Sequence, residues 1–150
     1  MLGNLEDARI IYTHFDTYKP MPDGWGYVGT GTFREAYLSP DGVVYKVPRA
    51  PSFSEHNRRE HENYLEIRRR KLKYKGWRVN PVNSYKFTYS DTEIVVNVSP
   101  LVKGEHEVAP PLCELELAMD AAFAAFNISD DAHDQNYLKT KRGRVIIDLG

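Results

Sequence analysis

The sequence predicts an α+β protein of two unequal halves. Three observations carry this. Strand-like and helix-like stretches do not alternate regularly, which disfavours a doubly wound parallel sheet. Residues Trp25–Val47 are extended and interrupted by the turn "SPDGV", which reads as antiparallel pairing. One segment, "PPLCELELAMDAAFAAFNI", repeats Leu115, Met119, Ala122, Phe123 and Phe126 at helical intervals.

Each element follows from local chemistry. "GYVGTGTFREAYLS" alternates aromatic and β-branched residues with small and polar ones, and "VVYKVP" closes the hairpin. Pro48 and Pro51 end that strand. "SEHNRREHENYLEIRRRKLKYK" reads as a charged helix capped by Ser52 or Ser54, with Glu60, Tyr64 and Ile67 on one face. "VNPVNSYKFTYSDTEIVVNVSPLV" returns to strand character around an "SD" turn. Pro110 and Pro111 open the long apolar helix, over Leu112–Phe126. A loop, a short strand near Tyr137 and Leu138, the turn "KTKRGR" and the strand "VIID" close the chain. There are no internal repeats.

Composition bounds the function. At 150 residues, the chain is long enough for one domain with two lobes and a real core. It is 41% hydrophobic and 27% charged, the balance of a globular protein. The net charge of −1 argues against a protein built mainly to grip nucleic acid. No apolar run approaches a membrane span, and the N-terminus lacks the pattern of a signal peptide. A single cysteine, Cys113, excludes an internal disulfide and points to a reducing cytoplasm. Its neighbours predict a small apolar residue on a helix.

Two clusters bear chemistry. In "VGTGTF", Gly29, Thr30, Gly31 and Thr32 lie at the tip of a strand pair, where glycine permits positive φ and close approach of a ligand. Peptide N–H groups at such a tip suit phosphate oxygens, although two glycines in a hairpin also make an ordinary tight turn. Lys46 lies in the apolar strand "VVYKV". Either it faces solvent on an edge strand, or it faces a cleft and needs a carboxylate partner. Glu60 is the first candidate for that partner. Glu62 is the second, on a face it shares with Glu66 and Arg69. The other cluster is "DDAHDQN" with Asp148 beyond it. Asp131, Asn136 and Asp148 offer oxygens of the kind Mg²⁺ takes alongside nucleotide phosphates.

In this order the segments resemble the protein kinase-like superfamily. "VGTGTFREAY" resembles the glycine-rich loop over ATP, "VVYK" the strand bearing the nucleotide lysine, and "EIVVNVSPLVKG" the fifth strand and hinge. "ISDDAHDQNYL" resembles the catalytic loop, closer to the aminoglycoside-phosphotransferase and atypical small-kinase variant, and "VIIDLG" resembles the D-F-G segment. The resemblance spans about Val28 to Gly150. It implies a kinase-like fold with an antiparallel-sheet N-lobe (about 1–98), a hinge (99–102) and a minimal, truncated C-lobe (103–150). It implies ATP and Mg²⁺ as cofactors, with Lys46 holding phosphates, Glu60 orienting Lys46 and Asp131 accepting the proton of the attacking hydroxyl. Asn136 and Asp148 would hold Mg²⁺. His133 would stand near the γ-phosphate or make a structural hydrogen bond. The backbone of Asn97 and Val98 would bind adenine.

The sequence departs from the pattern at Arg34, where the family has a third glycine, and at Ser129, where it has a histidine. No segment matches the family's acceptor-binding helices. Short kinase-like proteins of tailed bacteriophages look similar, which would place the protein in a host cytoplasm. Two functions stay open: a phosphotransferase acting on a protein or small-molecule hydroxyl, and a nucleotide-binding pseudokinase that inhibits or adapts a partner. A second apolar face on the long helix predicts a homodimer or a protein partner. The basic run "RRRKLKYKGWR" reads first as a solvated helix end, with contact to nucleic acid or to an acidic partner surface the lesser readings.

Overall fold

The computed structural model describes residues 2–150. They form two compact units. The first takes the residues up to His61 together with Pro81–Leu101, and the second takes Glu62–Asn80 and Val102–Gly150. The stretch 62–80, placed by sequence in the first lobe, thus groups with the C-terminal residues.

The first unit is built on a five-stranded antiparallel sheet. Its strands are β1 (Gly26–Thr30), β2 (Arg34–Leu38), β3 (Val43–Pro48), β5 (Asn83–Tyr89) and β6 (Thr92–Pro100), in the order β1-β2-β3-β6-β5. The extended stretch before the "SPDG" turn is thus two strands rather than one. Ser39 and Gly42 make that turn: the Ser39 N–H donates to Val43 O at 2.9 Å, and Gly42 sits at φ +80°. Only glycine takes that angle freely.

Strand periodicity sorts the side chains onto two faces. Tyr37, Tyr45, Val47, Ile94, Val96 and Val98 form the core with Ala8, Ile11 and Tyr12 of α1 (Leu5–Thr17). Lys46 and Asn97 alternate with these and face the other way, toward α2 (Ser54–Arg70). With both faces covered, Val44–Pro48 are all buried and show no alternation. Helix α1 was not anticipated. Its signal was present: Asn4 caps it, with Oδ1 accepting the Asp7 N–H at 2.7 Å, and Ala8, Ile11 and Tyr12 fall at helical spacing.

The second unit holds the C-terminal part of α2, the helix α3 (Glu114–Ala125) and a three-stranded sheet. The strands are β4 (Trp77–Val79), β7 (Tyr137–Thr140) and β8 (Gly143–Ile146), in the order β4-β8-β7. β4 pairs with β8 in parallel and β7 with β8 antiparallel. α3 buries Met119, Ala122 and Phe123, and Phe126 follows them inside, the predicted spacing. Each large side chain so buried stabilises by roughly 1.5–3 kcal/mol. Trp77 packs its ring on Tyr137 at 4.8 Å and on Phe123 at 6.2 Å.

Several boundaries differ from expectation. α2 stops at Arg70 instead of running to Lys75, because Lys71 turns left-handed at φ +52°. Trp77–Val79 is a strand. β8 ends at Ile146, short of Asp148. Cys113 is the N-cap of α3, its Sγ accepting the Glu116 N–H at 3.3 Å, rather than an apolar residue within the helix. No helix is long and apolar enough to cross a membrane among the described residues.

Glu107 ties this unit together. Its carboxylate accepts from Arg144 Nε at 2.6 Å and from the Tyr137 hydroxyl at 3.2 Å. The Arg144 hydrogen bond holds Glu107 below the usual carboxylate range. Burial, with Glu107 alongside, pushes the Tyr137 phenol up to about 12. A depressed carboxylate stabilises the fold above its unfolded value of about 4.3, and that contribution is lost as pH falls through the folded value. Thermal melts from neutral pH into acid are therefore expected to lose stability through this window, and Glu107→Gln is expected to flatten that limb.

Candidate functional site

Glu60 is the centre of the first unit's polar face. It is fully buried, and Lys46 is 9% exposed. Lys46 reaches this position because β3 lies between β2 and β6, so it is not on a sheet edge. Its Nζ sits 3.5 Å from Glu60 Oε1. Of the two glutamates weighed from sequence, Glu60 stands beside Lys46 and Glu62 is exposed.

A second cation shares the carboxylate. Arg34 Nη1 donates to Glu60 Oε1 at 2.5 Å and Nη2 to Oε2 at 3.2 Å, a bidentate pair. Asn97 Nδ2 donates to Oε1 at 2.9 Å. Asn57 frames the set: its Oδ1 accepts from Arg34 at 3.2 Å, and its amide donates to Lys46 O at 3.1 Å and Val95 O at 2.8 Å. These bonds fix α2 to β3 and β6 through polar groups, where an apolar face would otherwise be needed.

Arg34, Asn57 and Asn97 were not assigned these roles from sequence. The signal for Arg34 lay in the register. Ala36 stands opposite Lys46, so Arg34, two residues earlier, emerges on the same face. The signal for Asn97 was its place in the otherwise apolar run "IVVNV".

The glycine hairpin covers Gly29–Thr32 and turns before Arg34. The Gly31 N–H donates to Arg34 O at 2.8 Å, and Arg49 Nη1 donates to Gly31 O at 2.9 Å. Neither Gly29 nor Gly31 has positive φ, contrary to expectation. A Cβ at Gly29 would meet nothing within 4 Å, and one at Gly31 would meet only Arg34 O, at 3.8 Å. The fold itself does not require glycine at either position, so what these residues provide is room above the backbone.

The expectation for Asn97 and Val98 is corrected. Both lie within β6, opposite Lys46 and Tyr45 on one side and Ser84 and Asn83 on the other. A backbone flanked by strands on both sides has no N–H to offer adenine. β5 begins at Asn83, opposite Val98, so that side of β6 opens only from Ser99 onward.

In the second unit the predicted acid and amide are linked directly. Asn136 Nδ2 donates to Asp131 O at 2.8 Å. Asn136 O accepts the Ile147 N–H at 2.9 Å. Two hydrogen bonds thus connect the Asp131 loop, Asn136 and the residue before Asp148. The Asp148 carboxylate accepts the Gly150 N–H at 3.1 Å, and Asn63 Nδ2 donates to Leu149 O. His133 is exposed, and its Nδ1 accepts the Gln135 N–H at 3.0 Å. No group of three or more His, Cys, Asp or Glu side chains suited to a metal occurs among the described residues. Asn136 and Asp148 bring one amide oxygen and one carboxylate, donor types that suit a hard cation keeping most of its ligands as water and phosphate.

No protein-family model and no curated protein matches the sequence. Among solved structures, the chain is similar to ADP-bound aminoglycoside phosphotransferase APH(2'')-Ib, at 26% identity and TM-score 0.43 over 80% of this chain and 38% of that one. It is similar to APH(2'')-IIa in a ternary complex with streptomycin and ATP, at 25% identity and TM-score 0.43 over 86% of this chain and 40% of that one. A MAP kinase of Leishmania major matches at 13% identity and TM-score 0.38 over 96% of this chain and 50% of that one. The chain spans about two fifths of each phosphotransferase's length. Likenesses at this level carry no functional argument, which rests on the side chains.

Removing a partner from a buried ion pair leaves an uncompensated charge and costs about 3–5 kcal/mol. Glu60→Ala strands two cations, so a loss of that size is expected in urea unfolding. Arg34→Ala leaves Lys46 and Asn97 on Glu60, and a smaller loss is expected.

Proposed function

We propose that this protein binds Mg·ATP and transfers the γ-phosphate to a hydroxyl. The observation that carries this reading is the buried Lys46–Glu60 pair on the sheet face that bears the glycine hairpin's neighbour Arg34. A lysine fixed by a buried carboxylate is a positioned cation, and phosphoryl transfer asks a protein mainly for positioning and charge neutralisation. In this reading Lys46 binds the phosphates and Glu60 orients it. Gly29–Thr32 leave space for the phosphate chain, and Arg49 steadies the hairpin through Gly31 O.

The second unit supplies the remaining roles. Asp131 takes the proton of the acceptor hydroxyl. Asn136 and Asp148 are the residues that would hold Mg²⁺, and the bound ion would neutralise charge on the phosphates. The Asn136–Asp131 hydrogen bond keeps the acid loop in register with the metal ligand. The acceptor is a protein or small-molecule hydroxyl.

Calorimetric titration with ATP and Mg²⁺, followed by a γ-phosphate transfer assay on the same sample, tests the proposal. Lys46→Met is expected to weaken nucleotide binding about tenfold or more. Asp131→Asn is expected to retain binding while lowering transfer by at least about a hundredfold. Transfer unchanged in Asp131→Asn would defeat the reading. Binding without turnover in the native protein would favour the pseudokinase function instead.

A further inference from the structure

The basic run after α2 does not stand alone. β4 pairs in parallel with β8, with Trp77 opposite Arg144 and Arg78 opposite Val145. β7 and β8 join through the turn at Lys141 and Arg142, with Lys139 opposite Arg144. The basic segment 68–78 and the basic turn 139–144 therefore meet where residues 76–78 run beside residues 143–145. A glycine contact locks them. Gly143, at φ +107°, lies so close to Gly76 that a Cβ there would sit 2.7 Å from Gly76 O, and the Arg144 N–H donates to that same oxygen at 2.9 Å. Thr140 closes the turn, its hydroxyl donating to Gly143 O at 2.7 Å.

Charge is segregated sharply. The two segments hold eleven of the chain's 20 Lys and Arg residues and none of its 21 Asp and Glu residues. The rest of the chain has nine cations against all twenty-one carboxylates. Some of the eleven have partners nearby: Arg69 and Arg70 pair with Glu66, Arg144 with Glu107, and Arg68 lies over the Tyr64 ring. Lys71, Lys73, Lys75, Arg78, Lys139, Lys141 and Arg142 are exposed, and none makes an ion pair among the described residues. The register sets Arg78 and Lys139 on opposite faces of the sheet, so the patch is Lys71, Lys73, Lys75, Lys141 and Arg142 in the two adjoining turns. Like charges so gathered carry a self-repulsion that a bound polyanion relieves.

We infer that this face docks an acidic polypeptide segment. Three features favour a peptide over a nucleic acid. Four of these five cations are lysines, which act as point charges rather than as planar forks for phosphate. The patch has one exposed aromatic ring, Tyr74, where single-strand binding uses several stacking platforms. The remainder of the chain is strongly acidic, so a long polyanion extending past the patch meets repulsion that a short acidic segment escapes. The inference is independent of the phosphotransferase reading, since none of these residues is assigned to phosphate or metal.

The test uses the full chain and three probes of matched charge. These are a labelled peptide of about twelve residues rich in Asp and Glu, a single-stranded oligonucleotide, and phosphatidylserine vesicles. The peptide is expected to bind most tightly at low salt and to weaken about tenfold or more as salt rises several-fold past physiological strength. The quadruple variant Lys73→Glu, Lys75→Glu, Lys141→Glu, Arg142→Glu is expected to lose at least about tenfold in peptide affinity. A control with the same charge change elsewhere, Lys19→Glu, Arg59→Glu, Lys86→Glu, Lys103→Glu, is expected to stay within about twofold. Equal losses in patch and control variants would overturn the inference, as would absence of peptide binding at low salt. Tighter binding of the oligonucleotide or the vesicles would overturn the assignment to a peptide.

Discussion

A carboxylate in the interior needs its charge answered, and Glu60 meets that need with two cations and an amide. The consequences extend through the first unit. Meeting the charge brings Arg34 from β2, Lys46 from β3 and Asn97 from β6 to one point beneath α2. The sheet face that packs on α1 is apolar and tolerant of repacking. The face toward α2 is polar and is not. A slip of one residue in β3 would send Lys46 into the aromatic core and Tyr45 toward Glu60, and both moves bury groups without partners. The ion cluster therefore fixes strand register as well as side-chain position. The geometry proposed to bind phosphate and the fold's specificity rest on the same few bonds.

The second unit reaches order by different means. Its polar links are few and part-buried: Glu107 reaches Arg144 and Tyr137 far along the chain, and Asn136 holds Asp131 locally. Its core is the aromatic stack of Trp77, Tyr137 and Phe123 with the apolar face of α3. Here polar groups shape loops over an apolar base. The Asn136 amide, bonded to Asp131 O, fixes the backbone of the loop that carries this acid.

Much of this was legible in the sequence, for reasons that differ by element. The "SPDG" turn and the alternating residues around it announce antiparallel strands, and the Met119–Phe126 spacing announces α3. Glu60 was readable as the partner of Lys46 because Ile67 shares its face and turns it inward. Helix α1 escaped notice because its apolar positions are interleaved with Asp, Arg and His, and its cap is a single Asn. β4 is three residues long and pairs with a strand far along the chain, and no local pattern encodes such a partner. Arg34 read as a substituted glycine in a motif, and only the β2–β3 register shows it meeting Glu60. The adenine assignment to Asn97 and Val98 failed for a related reason. Sequence shows where a strand is, but not which of its residues keep a free edge.

The parallel pairing of β4 with β8 sets the timetable of synthesis. Residues 77–79 leave the ribosome long before residues 144–146, and apart from the Trp77 N–H, which donates to Tyr74 O, their ladder partners come with β8. The first unit can close once β6 has emerged. Trp77 and the α3 face must wait, exposed to chaperones and to neighbouring nascent chains, until the final strand arrives.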